Sequence, residues 1–261
     1  MRIALGIEYA GDRFCGWQSQ PALCGVQDAL ERAISEVAAH RVSVVAAGRT
    51  DAGVHAVSQI AHFDTDAVRS PTAWTRGVNA HLPAAAAVLW ARAVAPNFHA
   101  RFGATSRHYA YVLLSRGERP ALLGGRVGWY HGALDLEAMR AGAAVLKGTH
   151  DFSAFRAAEC QAKSPVKSLA AIDIGAQGSM YRFDLSADAF LHHMVRNIVG
   201  SLVYVGAGRQ SPAWIGELLA GRDRPRAAPT FTPDGLYLCG ADYDARFGLP
   251  PTRRTVDLPA A

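Results

Sequence analysis

HRVSVVAAGRTDAGVHAVSQIAHFD, residues 40–64, is the stretch on which the fold turns. The apolar, β-prone run 40–47 predicts a strand, and the alternation over 58–64 predicts a second one. Between them Gly48 and Gly53 flank Arg49, Thr50 and Asp51, a composition that forms a tight turn with projecting polar side chains. A strand that runs into a charged turn presents a reactive group at the end of a sheet. Asp51 has two readings. It caps a short helix over 54–57 with Arg49 as its ion-pair partner, or it is a chemical group. One carboxylate without cysteine or a second acid is too little for a metal site or a glycosidase-type acid pair. A lone carboxylate beside a guanidinium suits nucleophilic or electrostatic work on an anionic substrate.

Outward from this stretch, residues 2–9 alternate as a strand, and 26–39 carry apolar residues at helical spacing. A helix over 72–82, opened by Pro71 and ended by Pro83, and a strand over 88–94 complete the first half. The second half repeats the order: strand 106–115, helix 136–147, and a hairpin of 169–175 with 180–186 around Gly178. A helix over 188–205 has Phe190, Met194, Ile198 and Leu202 every four residues, and a short helix over 211–220 follows. A last strand lies within 230–243, and the Pro- and Arg-rich tail from Gly248 is expected to fray. These elements predict an α+β fold of two similar β-α-β-β-type (RRM/ferredoxin-like) domains, 1–104 and 105–261. Joined side by side they would form one extended, mainly antiparallel sheet with helices on one face.

The chain of 261 residues carries a net charge of +5, nearly all of its positive charge as arginine. That balance predicts an anionic partner, nucleic acid ahead of a membrane surface. No segment has the length of a transmembrane helix or the form of a signal peptide. Cys15, Cys24, Cys160 and Cys239 are scattered without a CxxC pair, which predicts neither a zinc ribbon nor a disulfide framework but a reduced, cytoplasmic protein. Phe98, His99, Ala100, Arg101 and Phe102 are either a linker with buried rings or a place where RNA finds arginine for phosphate and a ring for a base. Residues 158–168, small and basic with Lys163 and Lys167, suit an RNA-gripping loop. Residues 222–226, RDRPR, are a solvated surface or a phosphate rim. On a helix, His192 and His193 would point about 100° apart and make a poor metal site. Arg196, a single charge on a mostly apolar helix, needs an anion.

GRTDAGVHA, residues 48–56, closely resembles the catalytic-loop signature of the tRNA pseudouridine synthase A (TruA) family. The resemblance continues through V-N-x-x-L-P at 78–83, FHARF at 98–102 and HHMVRN at 192–197. A Y-D-G…Y-x-G-W-Q pattern is altered here by Ala10 and Phe14. The resemblance implies an isomerase that converts uridine to pseudouridine at positions 38, 39 and 40, in the anticodon stem-loop of tRNA. It implies that Asp51 is the catalytic aspartate and that Arg196 pairs with it. Burial raises a carboxyl from its ordinary ~3.9 and a guanidinium counters that shift, so Asp51 is expected to stay ionised. Tyr109 and Leu236 would sandwich the target base, and Arg49 would fill the space of the flipped nucleotide and hold phosphate. Phe98, His99, Ala100, Arg101 and Phe102, with Glu159, Cys160, Gln161, Ala162 and Lys163, would contact tRNA. The family implies no cofactor, no metal and no membrane, and a homodimer whose subunits together grip one tRNA. Whether Asp51 attacks the base, attacks the sugar or acts as a base stays open. Two other classes stay open as well: an RNA-binding protein of two RRM-like units, and a hydrolase using Asp51 with His55 or His192.

Overall fold

The computed structural model describes residues 1–257. Its strands are β1 (Arg2–Tyr9), β2 (Val45–Ala46), β3 (His55–Asp64), β4 (Ala86–Val94), β5 (Ser106–Ser115), β6 (Gly128–Tyr130), β7 (Gly148–Asp151), β8 (Val166–Gln177), β9 (Met180–Ala187) and β10 (Leu236–Asp242). Its α-helices are α1 (Val26–Ala38), α2 (Val78–His81), α3 (Leu136–Ala144), α4 (Met194–Gly206) and α5 (Trp214–Gly221). The fold is α+β and mainly antiparallel, as the element order predicts. Two compact units share it: Met1–Ser106 with Tyr237–Asp257, and Arg107–Leu236. The sequence-based division at 104/105 runs the second domain to the end of the chain. Instead the chain returns, and β10 lies parallel to β3 with Tyr237 opposite His55.

In the first unit the strands lie in the order β4-β1-β3-β10, and β2 pairs with β3. β1 is antiparallel to both neighbours, with Arg2 opposite Asp64 on one side and Val94 on the other. α1 forms because Val26, Ala29, Leu30, Ala33 and Ile34 fall on one face, and all five are buried. Its first turn is closed by Asp28, whose carboxylate accepts the Gly25 N–H at 2.9 Å. β3 is buried almost throughout, so it lacks the two-faced alternation of a half-exposed strand. Phe63 of β3 meets Trp74 edge to face at 5.2 Å, which ties the helical segment before α2 to the sheet.

In the second unit the order is β5-β9-β8-β7, with β6 parallel to β5. β8 and β9 form the predicted hairpin, and Tyr109 of β5 sits opposite Leu185 of β9. Asp135 caps α3 by accepting the Ala138 N–H at 3.0 Å. α4 is apolar on nearly every side and correspondingly buried.

Several expectations are corrected. The strand over 40–47 shrinks to two residues, and β3 begins at His55, so no helix forms over 54–57 for Asp51 to cap. α4 begins at Met194 because His193 adopts φ +61°, a left-handed conformation that breaks the helix before it starts. His192 and His193 are therefore not spread around a helix, and their rings lie 4.0 Å apart. Cys15 and Cys24 are joined in a disulfide across a short loop whose ends are also tied by the Cys15 N–H to Cys24 carbonyl bond. Spacing rules missed it because loop geometry brings the pair together. The tail is packed rather than frayed as far as Asp257. The Arg254 N–H donates to Cys239 O at 2.9 Å, Arg253 pairs with Asp242, and Val256 is buried. Residues 258–261 of that tail lie outside the described residues.

Candidate active site

The loop between β2 and β3 carries Arg49, Thr50 and Asp51. Its first anchor is the Ala47 N–H, which donates to Ile60 O at 2.7 Å. The chain then turns at 51–54, where the Val54 N–H closes on Asp51 O at 3.1 Å. Gly53 holds φ +81°, the value the third position of a type II turn requires. The Gly53 N–H donates to Gly11 O, which ties the turn to the segment after β1. From the other side the Trp17 N–H donates to Thr50 O at 2.9 Å. Gly16 makes that approach possible, since a Cβ there would stand 2.9 Å from Thr50 O. Asp51 is half-buried, Thr50 is buried and Arg49 is exposed.

Beneath the loop is a polar group that the sequence reading did not single out. The Tyr9 hydroxyl hydrogen-bonds Thr50 Oγ1 at 2.8 Å. Gln59 Nε2 donates to Gly48 O at 2.7 Å and to the Tyr9 hydroxyl at 3.4 Å. Burial pushes the Tyr9 phenol up to about 12, although its bonds to Thr50 and Gln59 act against that shift. No local signal marked Gln59, because β3 also carries His55, Ser58 and His62 and a glutamine among them does not stand out. His55 is also buried. Its Nδ1 accepts the Gly11 N–H at 3.0 Å and its ring stacks on Tyr237 at 4.7 Å. It therefore props the loop.

In the second unit, Arg196 stands in the first turn of α4, half-buried, with Nε donating to Phe231 O at 2.8 Å. Asn197 beside it is fully buried. Its amide donates to Phe155 O, and its Oδ1 accepts from Arg224 at 3.0 Å and from Thr230 at 2.7 Å. Arg224 thus belongs to an internal bracket rather than a phosphate rim. Tyr109 is half-buried on β5 and meets Phe190 edge to face at 5.0 Å. Leu236 opens β10, is buried, and donates its N–H to Pro233 O at 2.8 Å.

The segment 98–102 divides residue by residue. Phe98 and Ala100 are fully buried, Phe98 against Tyr243 and Phe247 at 5.2 Å each, so side-chain contact with RNA is closed to them. The Ala100 N–H donates to Nδ1 of buried His62 at 3.2 Å. Burial, reinforced by the Arg2 charge, brings the His62 pKa down to about 4. His99 Nδ1 accepts the N–H groups of Arg101 and Phe102, and its own pKa is lowered first by burial and then by Arg2. Phe102 is 78% exposed, with the Arg101 guanidinium 5.4 Å from its ring. In the loop 159–163, Glu159, Gln161 and Lys163 are exposed and Ala162 is partly so. Cys160 is buried. Its carbonyl accepts from Arg156 at 2.5 Å, and its Sγ takes the His192 N–H at 3.4 Å.

The sequence profile described as tRNA pseudouridine synthase matches residues 6–103 and 143–244, which include the Asp51 loop and the start of α4. The chain belongs to the tRNA pseudouridine synthase A family. That family isomerises uridine to pseudouridine in tRNA, and the chain is an isomerase of this kind. It is 62% identical over 251 residues to tRNA pseudouridine synthase A of Chromobacterium violaceum, covering 96% of each chain. It is 59% identical over 258 residues to the enzyme of that name from Methylobacillus flagellatus, covering 99% of each. A solved structure titled "Crystal Structure of a Cbf5-Nop10-Gar1 Complex" overlaps 90% of this chain and 48% of its own at TM-score 0.38 and 11% identity, too distant to bear on the fold.

Proposed function

We propose that Asp51 is the catalytic group of this isomerase and that its target is a uridine flipped out of the tRNA anticodon stem-loop. The reaction breaks the bond from uracil N1 to the ribose, turns the base, and forms a bond from C5 to the same carbon. The C5 proton is lost and N1 regains one, so nothing is added and the mass is unchanged. Asp51 serves as nucleophile toward base or sugar, or as the base for that proton. Arg196 is its ion-pair partner. Tyr109 and Leu236 close on the two faces of the uracil, and exposed Arg49 takes the place of the flipped nucleotide and a phosphate. Arg101 and Phe102 offer a cation and a ring to RNA, and Glu159, Gln161, Ala162 and Lys163 form a second contact. The enzyme acts in the cytoplasm as a homodimer that grips one tRNA.

The observation that carries this reading is the fixation of the Asp51 loop. A half-buried carboxylate sits on a turn whose backbone is hydrogen-bonded from two other segments, at Gly11 and at Trp17. Such preorganisation is costly for a surface turn and useful for chemistry. Asp51→Asn should lower pseudouridine formation on unmodified tRNA transcripts by about a thousandfold or more, read by carbodiimide mapping, while tRNA still binds. Retained activity would remove Asp51 from the mechanism. Release of free uracil or cut RNA by the native enzyme would point to a hydrolase instead.

A further inference from the structure

We infer that Tyr9 and Gln59 are positioning residues for the isomerisation: a buried two-residue brace that holds Thr50 and Gly48 and thereby sets the direction of the Asp51 carboxylate. The inference rests on the proposed role of Asp51. Tyr9 ends β1, where the register against β3 slips between Ile7, opposite Gln59, and Tyr9, opposite Ala56. Irregularities of this kind re-aim side chains at strand ends, and here the Tyr9 hydroxyl reaches Thr50 Oγ1. Gln59 is fully buried and spends its Nε2 on both Gly48 O and Tyr9. The residue before Asp51 and the glycine that opens the loop are thus held from one floor.

A packing role does not account for Gln59. Among the described residues its Oε1 has no hydrogen-bond partner. A buried amide with an orphaned oxygen is a poorer filler than a methionine or leucine of similar size. Departures from local stability of this sort belong where geometry is held for function. The Tyr9 ring likewise fills its site beside Phe14 and Trp17 without help from its hydroxyl. What the hydroxyl adds is the bond to Thr50. Neither side chain need touch RNA, so the brace should act on the chemical step and leave tRNA affinity alone.

A double-mutant cycle on the single-turnover rate, at saturating enzyme and with an unmodified tRNA transcript, tests this. Tyr9→Phe and Thr50→Val should each slow the reaction about tenfold with the tRNA dissociation constant unchanged. The double variant should be no slower than either single one, because both remove the same bond. Thr50→Ser, which keeps the hydroxyl, should retain the native rate, and Gln59→Met should fall with Tyr9→Phe. Circular dichroism and thermal melting confirm that each protein is folded. A native rate in Tyr9→Phe would overturn the inference, and so would multiplying losses of about a hundredfold in the double variant. Should Tyr9→Phe not fold, equal rates in Thr50→Ser and Thr50→Val would overturn it as well. Asp51→Asn is assayed in parallel. If it is inactive while Tyr9→Phe is native, the brace alone fails. If Asp51→Asn stays active, the catalytic reading has failed instead.

Discussion

The loop at 47–54 and the loop at 157–164 are both polar excursions beside strands, but they are held in different ways. The first is gripped from outside. Tyr9 of β1, Gln59 of β3, the Trp17 N–H and the Gly11 carbonyl all bond to it. The second relies on one adjoining guanidinium for half of its ties. Arg156 donates to the carbonyls of Cys160 and Ala162, with the backbone near His192 giving two further ties. Chemistry needs atoms placed to a fraction of an ångström before substrate arrives, whereas a contact to RNA can be completed by the RNA itself. The contrast predicts that damage to the first loop appears in rate and damage to the second in affinity.

Among substitutions that probe how the two loops are held, the largest effect should come from Gly53→Ala. At φ +81° a Cβ costs about 1–2 kcal/mol, and the loop can relieve that strain only by moving the turn that follows Asp51. The single-turnover rate should fall about a hundredfold with tRNA affinity almost unchanged. A loss of affinity with a native rate would break the contrast. Arg156→Met comes next. Removing the guanidinium frees two carbonyls and loosens residues 159–163. The dissociation constant for tRNA should rise about tenfold while the rate at saturation stays native. A fall in that rate would mean that this loop, too, is part of the catalytic geometry.

This division between rigid and adaptable was only partly legible in the sequence. Signals written within a few residues survived. The alternation over 2–9 is β1, the helical spacing from Val26 is α1, and GRTDAGVHA is the loop that the whole first unit secures. Signals that depend on distant partners did not. β10 pairs parallel to β3 from almost two hundred residues away in the chain, and no local pattern could place it in the first unit. α4 starts late because of one backbone angle at His193, which a periodic apolar stripe cannot show. Phe98 and Phe102 are the same residue type in one short motif, yet one is core and the other is exposed. Composition gives them equal claim to an RNA base; the register of the chain over His62 decides between them. Tyr9 and Gln59 were invisible for the same reason, since their meaning lies in what they reach.

The segment 98–102 is held in part by a titratable group. The Ala100 N–H rests on His62 Nδ1, which accepts only while that imidazole is neutral. In the folded protein burial brings the His62 pKa to about 4, whereas an unfolded histidine titrates near ~6.5. The sign follows. Above ~6.5 neither state binds the proton and stability is flat. As pH falls below that, the unfolded chain takes up a proton that the folded chain refuses, so stability drops until about 4, where the folded state protonates too. His62→Asn sets an amide oxygen near the position of Nδ1 and removes the titration. Carboxylates titrate in the same interval in both proteins, so the informative quantity is the difference in melting temperature between them. The native protein should lose about 5 °C more than the variant between pH 7 and pH 4.5. Its tRNA affinity, measured at matched ionic strength, should weaken over the same interval as the hold on the Ala100 N–H is lost. Parallel melting curves for the two proteins would show that this histidine does not govern the hold on the segment.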